Sequence, residues 1–313
     1  MTTSGSTAFN LEFRDIAEEA YERCGLEIRS GYDLRTARRS MNLLLIEWAN
    51  RGINLWTVEQ GQIPMVSGQA LYPLPDDTID LMDMVIRTNN ASTSNQIDIN
   101  ISRIAEPTYM AIPNKLTTGR PIQVYVNRQS AMDNATTITL ANTGIGISAT
   151  DTSITLSSVD GLSTTGFIQI GAEIISYPNI VGNTLTNCYR GQRGTTATAH
   201  LNGAAITKKN IPCINVWPTP NPPGNQYTFV YYRLRRIQDA GEGGSYEQDM
   251  PFRLIPAATA GLAYYIAVKK PEVDAGKRAE LKADYAEQWD LASSEDRDKA
   301  PVRWVPRNMF YYR

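Results

Sequence analysis

The sequence holds one histidine, His200, so a site needing two or three imidazoles cannot form within a single chain. Its three cysteines, Cys24, Cys188 and Cys213, are too few and too scattered for a disulfide framework or a thiolate zinc site, and they suit a reducing compartment. No long apolar run is present and the first residues (MTTSGSTAFN) are polar, so neither a membrane span nor a signal peptide is expected. An excess of either charge is also missing. Thirty Lys and Arg stand against 32 Asp and Glu, a formal net charge of −2, which argues against a free nucleic-acid binder with a strong basic surplus. What is present is 313 residues, 42% hydrophobic, enough for a packed core and more consistent with two domains than one.

Composition divides the chain. Residues 134–210 hold seven charged residues in 77, while the other 236 hold 55. The same 77 contain 37 Thr, Ser, Gly or Asn and none of the five Trp. Short β-branched runs recur there (TTITL at 136–140, SITL at 153–156, FIQI at 167–170, EIISY at 173–177, NTLTNCYRG at 183–191), separated by turns such as Asp160-Gly161. This pattern predicts a small, nearly uncharged β-sandwich or barrel inserted into a host domain.

The host is formed by residues 1–133 and 211–300. Phe13, Ile16, Ala17, Ala20, Tyr21 and Cys24 make one apolar stripe that Gly25 is placed to end. A second stripe joins Leu34, Ala37, Met41, Leu44, Leu45 and Trp48, with Asp33 as the N-cap. Strands are expected at 56–66, 84–88 and 120–126. IPCINVWP (211–218) and QYTFVYYRLRRI (226–237) read as a hairpin across the Pro-rich turn TPNPPGN, the second strand alternating faces. An apolar helix over 252–268 and another over 275–292 follow. Two N-terminal and two C-terminal helices flanking strands predict an α+β fold, in which the chain's ends meet in a helical bundle.

The last thirteen residues, PVRWVPRNMFYYR, carry two prolines, three arginines, no acid, and Trp304, Met309, Phe310, Tyr311 and Tyr312. These residue types are enriched at interface hot spots. The segment 301–313 is therefore either a tail packed on its own subunit or an arm reaching into another protein.

Other candidates are weaker. Arg35, Arg38 and Arg39 open the second helix; they could face DNA, pair with acids of a neighbouring subunit, or form the solvated side of the helix. Arg233, Arg235 and Arg236 are ambiguous in the same way, with intersubunit pairing ahead of DNA contact. Asp76, Asp77, Asp80 and Asp83 lack the Gly and terminal Glu of a calcium loop and read as a turn followed by a solvated strand edge. His200, with no carboxylate near it in sequence, reads as a surface or cap residue. Cys24 and Cys188 read as core, and RGQRGT (190–195) as a turn. No catalytic group, metal or cofactor is indicated.

The run MNLLLIEWANRGINLWTVEQGQIPMVSGQALYPLPDDTIDLMDMVIR (41–87) resembles the head-to-tail adaptor, or connector, proteins of short-tailed double-stranded DNA phages. So do INVWPTP…YTFVYYRLRRI (214–237) and FRLIPAATAGLAYYIAVK (252–269), while the 134–210 insertion resembles small β modules of phage virion proteins. The resemblance implies a virion protein assembled in the host cytoplasm into a ring of about twelve copies, its two unlike patches closing head to tail. It implies a portal gripped by the arm (Arg303, Trp304, Arg307, Met309, Phe310, Tyr311, Tyr312), a tail nozzle or tail fibre protein below, double-stranded DNA passing without sequence specificity, and no membrane. A near-neutral chain suits such a conduit, because a strongly basic bore would hold DNA by releasing counterions. The competing reading is a receptor- or glycan-binding tail component, since uncharged Thr/Asn/Gly-rich β modules serve such roles. A hydrolase with paired carboxylates finds no support in the sequence.

Overall fold

The apolar stripes become helices in the computed structural model, which describes residues 5, 9, 11–52, 55–90, 92–128, 133–221, 227–242 and 245–295. Five helices are found among them: α1 (Phe13–Arg23), α2 (Gly31–Arg51), the short α3 (Glu106–Met110), α4 (Ile255–Lys269) and α5 (Ala275–Glu295). With many antiparallel strands they make a mixed α+β protein. The chain divides into two compact units, residues 1–57 with 236–313, and residues 58–235.

In the first unit, α1 buries Phe13, Ile16, Ala17, Ala20 and Tyr21, the positions that fall on one face at 3.6 residues per turn. Gly25, at φ 72°, turns the chain away while its N–H and that of Leu26 bond back to Glu22 and Tyr21 carbonyls. The start of α2 differs from the expectation. Ser30, not Asp33, is the N-cap, and its hydroxyl accepts from the Asp33 N–H. Asp33 sits three residues on, where its carboxylate accepts from the Arg29 N–H and the Ser30 hydroxyl and pairs with Lys270 at 2.7 Å. An acid is favoured in a helix's first turn, so the signal was sound and its position was displaced.

Helix α4 is apolar on nearly every side and packs against α1, α2 and α5. Phe13, Tyr21, Met41, Leu44, Trp48 and Ile266 share its core. Burial of each such side chain contributes about 1.5–3 kcal/mol. Gly261 permits the close approach: a Cβ there would lie 2.9 Å from both Leu44 and Tyr285. Inside the same core the Trp48 indole N–H donates to the Tyr285 hydroxyl at 3.0 Å.

The second unit is built of strands. From Val58 to residue 127 come β1 (Val58–Pro64), β2 (Leu71–Pro73), β3 (Thr78–Thr88), β4 (Ile97–Asn100), β5 (Ser102–Ile104), β6 (Thr118–Gly119) and β7 (Gln123–Asn127). Residues 134–210 add β8 (Asn134–Thr139), β9 (Gly146–Ile147), β10 (Ile154–Thr155), β11 (Gly166–Ile170), β12 (Glu173–Tyr177), β13 (Asn179–Val181), β14 (Thr184–Thr186), β15 (His200–Leu201) and β16 (Ala205–Lys209). The last three are β17 (Cys213–Trp217), β18 (Thr219–Pro220) and β19 (Tyr227–Arg235).

Two four-stranded sheets, ordered β1-β19-β3-β4 and β2-β17-β7-β5, enclose Met65, Leu74, Ile86, Val124, Ile214 and Phe229. The expected hairpin of β17 and β19 is not formed. Each strand belongs to a different sheet: β17 pairs with β2 and β7, and β19 with β1 and β3. Strand β3 pairs along β19 from Thr78 to Thr88 and is covered by β4 over Val85–Thr88 alone, so its acidic part, residues 78–83, lies at the sheet edge as expected. Strands β8 to β16 form sheets β12-β11-β16-β8, β10-β14-β13 and β15-β9 around Ile138, Ile154, Ile168, Ile175, Leu185 and Ile206. A small cluster of Leu71, Phe167, Ile174, Ile211 and Cys213 joins residues on both sides of position 210.

Candidate functional site

The cations singled out from sequence separate into two groups. Arg233 and Arg235 project from one face of β19 and meet acids of their own unit. Arg233 is buried, donates to Glu59 at 2.8 Å and to the Thr78 hydroxyl at 3.1 Å, and pairs with Asp77. Arg235 reaches the other oxygen of Glu59 at 2.7 Å. Burial pushes the Asp77 carboxyl up, and the Arg233 guanidinium more than offsets this, holding it below the ordinary range. Two more acids of the string are engaged as well, Asp76 with Arg193 at 2.7 Å and Asp80 with Arg103 at 2.8 Å and Arg128 at 3.3 Å, while Asp83 is exposed.

On α2 the picture is different. Arg38 lies 3.6 Å from Glu242, but Arg35 bonds only the Gly31 carbonyl and Arg39 only the Thr36 hydroxyl among the described residues. Both are exposed, on the stripe that also carries Tyr32, Leu43 and Ile46. Positions 32, 35, 39, 43 and 46 fall within one narrow arc of the helix, opposite the buried Met41, Leu44, Leu45 and Trp48. Arg303, Trp304, Arg307, Met309, Phe310, Tyr311 and Tyr312 lie outside the described residues.

Beside this stripe runs a groove of about 750 Å³ between α2, α4 and α5. Its walls are Tyr264, Tyr265, Tyr285 and Trp289, with Leu43 and Val268 exposed at the rim. Arg51 pairs with Glu47 and lays its guanidinium 4.5 Å from the Trp289 ring centre and 5.7 Å from that of Tyr285. The Tyr265 hydroxyl donates to Glu47 at 2.7 Å, and burial with that carboxylate pushes its pKa upward. Lys269 donates to Ser40 at 2.8 Å. The groove thus presents π faces and a guanidinium side by side.

The sequence reading missed one site altogether. Glu173, at the start of β12, is 1% exposed and sits under Arg190, which grips both its oxygens at 2.7 and 2.8 Å. His200 Nε2 lies 2.8 Å from the second oxygen, and the Gly191 and Thr198 N–H groups donate at 3.1 and 3.2 Å. His200 is therefore corrected from a surface residue to a partner of a buried carboxylate lying 27 positions away, a distance sequence proximity could not bridge. Burial alone pushes the Glu173 carboxyl up; Arg190, His200 and the two N–H donors overcome it and hold it at about 2. Arg190 also donates to the Ser148, Asp151 and Thr198 carbonyls, so one guanidinium ties two further segments, 148–151 and 198, to β12. The one available signal was compositional: Glu173 is the only Glu in 134–210 and sits within the apolar run EIISY, where a buried charge demands a partner.

The cysteines are all buried, and burial pushes the thiols up, to about 11 for Cys24 and about 12 for Cys188 and Cys213. Thiols that weakly ionised are poor nucleophiles at neutral pH. Among the described residues no three His, Cys, Asp or Glu side chains are gathered to hold a metal ion, and no helix is long and apolar enough to cross a membrane. No protein-family model matches the chain, and no curated protein matches it in sequence.

Proposed function

We propose that the protein is a structural adaptor in the neck of a short-tailed double-stranded DNA phage. About twelve copies form a ring between portal and tail nozzle, complete the DNA channel, retain the packaged genome and pass it on at ejection. In this reading α1, α2, α4 and α5 are the bundle of the adaptor core, 134–210 is an inserted β module, and residues 301–313 are the arm that grips the portal. The reading rests on the resemblance of residues 41–87, 214–237 and 252–269 to such adaptors.

The observation that carries it furthest is the outer stripe of α2. Single exposed apolar residues are ordinary, but Tyr32, Leu43 and Ile46 share one arc with Arg35 and Arg39, and Ile46 is 59% exposed. Aromatic, aliphatic and Arg side chains on one face are the composition of an interface core. Arg35 and Arg39 are then the cations available to a neighbouring subunit or to DNA, whereas Arg233 and Arg235 already neutralise acids of their own chain.

The glycan-binding alternative loses support from burial. Its three aromatics in 134–210 are Phe167 and Tyr177, both buried, and Tyr189, half-buried, which leaves no exposed ring platform for sugar stacking.

Electron microscopy and mass photometry of the purified chain with and without the portal protein test the proposal. Rings are expected on the portal, and removal of 301–313 is expected to abolish capture while the helical core stays folded. Failure to form rings on the portal overturns the adaptor reading, and capture that survives the deletion removes the arm from it.

A further inference from the structure

The groove between α2, α4 and α5 lies beside the end of the described chain, on a wall that leads directly into the C-terminal segment. We propose that it receives the chain's own residues 301–313, seating their aromatic side chains against Tyr264, Tyr285 and Trp289 before any partner takes them.

Reach is the first support. Trp289 is six residues before Glu295, about 9 Å along the helix at ~1.5 Å per residue. Residues 296–300 extend at most roughly 18 Å. Position 304 therefore reaches the groove without unwinding α5. The second support is chemistry. Arg51 already shows what the groove binds: a guanidinium stacked over Trp289 and Tyr285. The C-terminal segment carries Arg303, Arg307 and Arg313 together with Trp304, Phe310, Tyr311 and Tyr312, groups that pair with ring faces and edges. Exposed Leu43 and Val268 continue the apolar lining beyond the aromatic floor.

Charge does not select the occupant. Glu47 and Asp290 stand against Arg51, Lys269 and Lys282 around the groove, so attraction of a cationic segment is not ionic. The contact is apolar and cation–π, and salt has little effect on it. Tethering decides between this segment and that of a second copy. A segment joined through five residues faces the groove at an effective concentration in the millimolar range, far above free protein at laboratory concentrations. A volume of about 750 Å³ accepts a few large anchors and not the whole segment.

The consequence is a stored arm that a partner must displace. The identity of that partner rests on the adaptor reading, but the groove contact does not: it is measured on the chain alone, so its failure leaves ring formation on the portal untouched.

The test uses the full chain with p-benzoylphenylalanine at position 304, irradiated at low concentration, with cross-links mapped by mass spectrometry. The expected products are intrachain cross-links to 43–51, 264–269 or 282–290. They should fall about tenfold when the exposed rim residue Ala286→Arg fills the groove. That position is exposed on α5, so folding is expected to be intact, and near-UV circular dichroism checks it. A second variant, Val268→Arg on the opposite wall, should act alike. Cross-links that are absent, that map elsewhere, that join two chains, or that persist unchanged in both variants overturn the proposal.

Discussion

Removing the Glu173 carboxylate should be the most damaging single change in residues 134–210. Glu173→Ala deletes the acceptor for Arg190, His200 and two backbone N–H groups and leaves Arg190, whose side chain is 7% exposed, as a buried charge without its counterion. Breaking a buried pair from one side costs about 3–5 kcal/mol. The pKa gives a second, independent scale. A carboxyl lowered from 4.5 to about 2 stores about 3 kcal/mol at ~1.4 kcal/mol per unit. The sign follows from the lowered value: this stability is fully present above the unfolded pKa and is lost as pH falls from about 5 toward 2. Hydrogen exchange at the Gly191 and Thr198 amides, which donate to Glu173, reads the loss locally. Their protection should fall by roughly two to three and a half orders of magnitude at neutral pH. Arg190→Ala combined with Glu173→Ala should cost less than the sum of the two single changes, because no unpaired charge remains. A Glu173→Ala loss below about 1 kcal/mol, or strict additivity in the double variant, refutes the account of the site.

Arg233→Met should lower urea-unfolding stability by about 1–3 kcal/mol, less than the Glu173 change, because Glu59 and Asp77 are half exposed and water can solvate them once the guanidinium is gone; an unchanged midpoint would show the cluster to be idle. Gly61→Ala should cost about 1–3 kcal/mol, since its Cβ would stand 2.3 Å from Cζ of the buried Tyr231 ring on the partner strand; unaltered thermal stability would mean that the ring moves aside freely. In the native protein at pH 8, Cys24, Cys188 and Cys213 should resist iodoacetamide and all three should react after unfolding; rapid native labelling of any of them, followed by mass spectrometry, would contradict its burial.

The helices were legible because their signal is local. The stripe from Phe13 to Cys24 repeats every three or four residues, and nothing distant is needed to know which face is buried. The short strands of 134–210 were legible for the same reason, each announced by β-branched alternation and a flanking turn. Pairing was not. Strand β17 takes its partners from Gln123–Asn127 and Leu71–Pro73, and no residue of Cys213–Trp217 names them, so the neighbouring β19 looked like the natural mate. Charge partners failed on the same count. The acids of 76–80 meet Arg193, Arg233, Arg103 and Arg128, at separations of 23 to 156 residues. Read in isolation, DDTIDLMD reads as a hydrophilic turn and edge; folded, its Asp76, Asp77 and Asp80 are counterions for arginines distant in sequence.

Charge pairing also bears on the proposed contact surface. An arginine that already satisfies Glu59 and Asp77 gains little from a second anion, since leaving the first re-creates an unpaired buried charge. An exposed arginine bonded only to a helix carbonyl or a hydroxyl has no such cost, and Arg35 and Arg39 are of this kind. They flank Tyr32, Leu43 and Ile46, which supply apolar area that water does not favour. In an interface of this composition the aliphatic and aromatic side chains set the dissociation rate, and the rim arginines set encounter rate and salt dependence. Four of the arginines singled out in sequence therefore divide by structure: Arg233 and Arg235 on β19 pair with acids of their own unit, while Arg35 and Arg39 on α2 are turned outward.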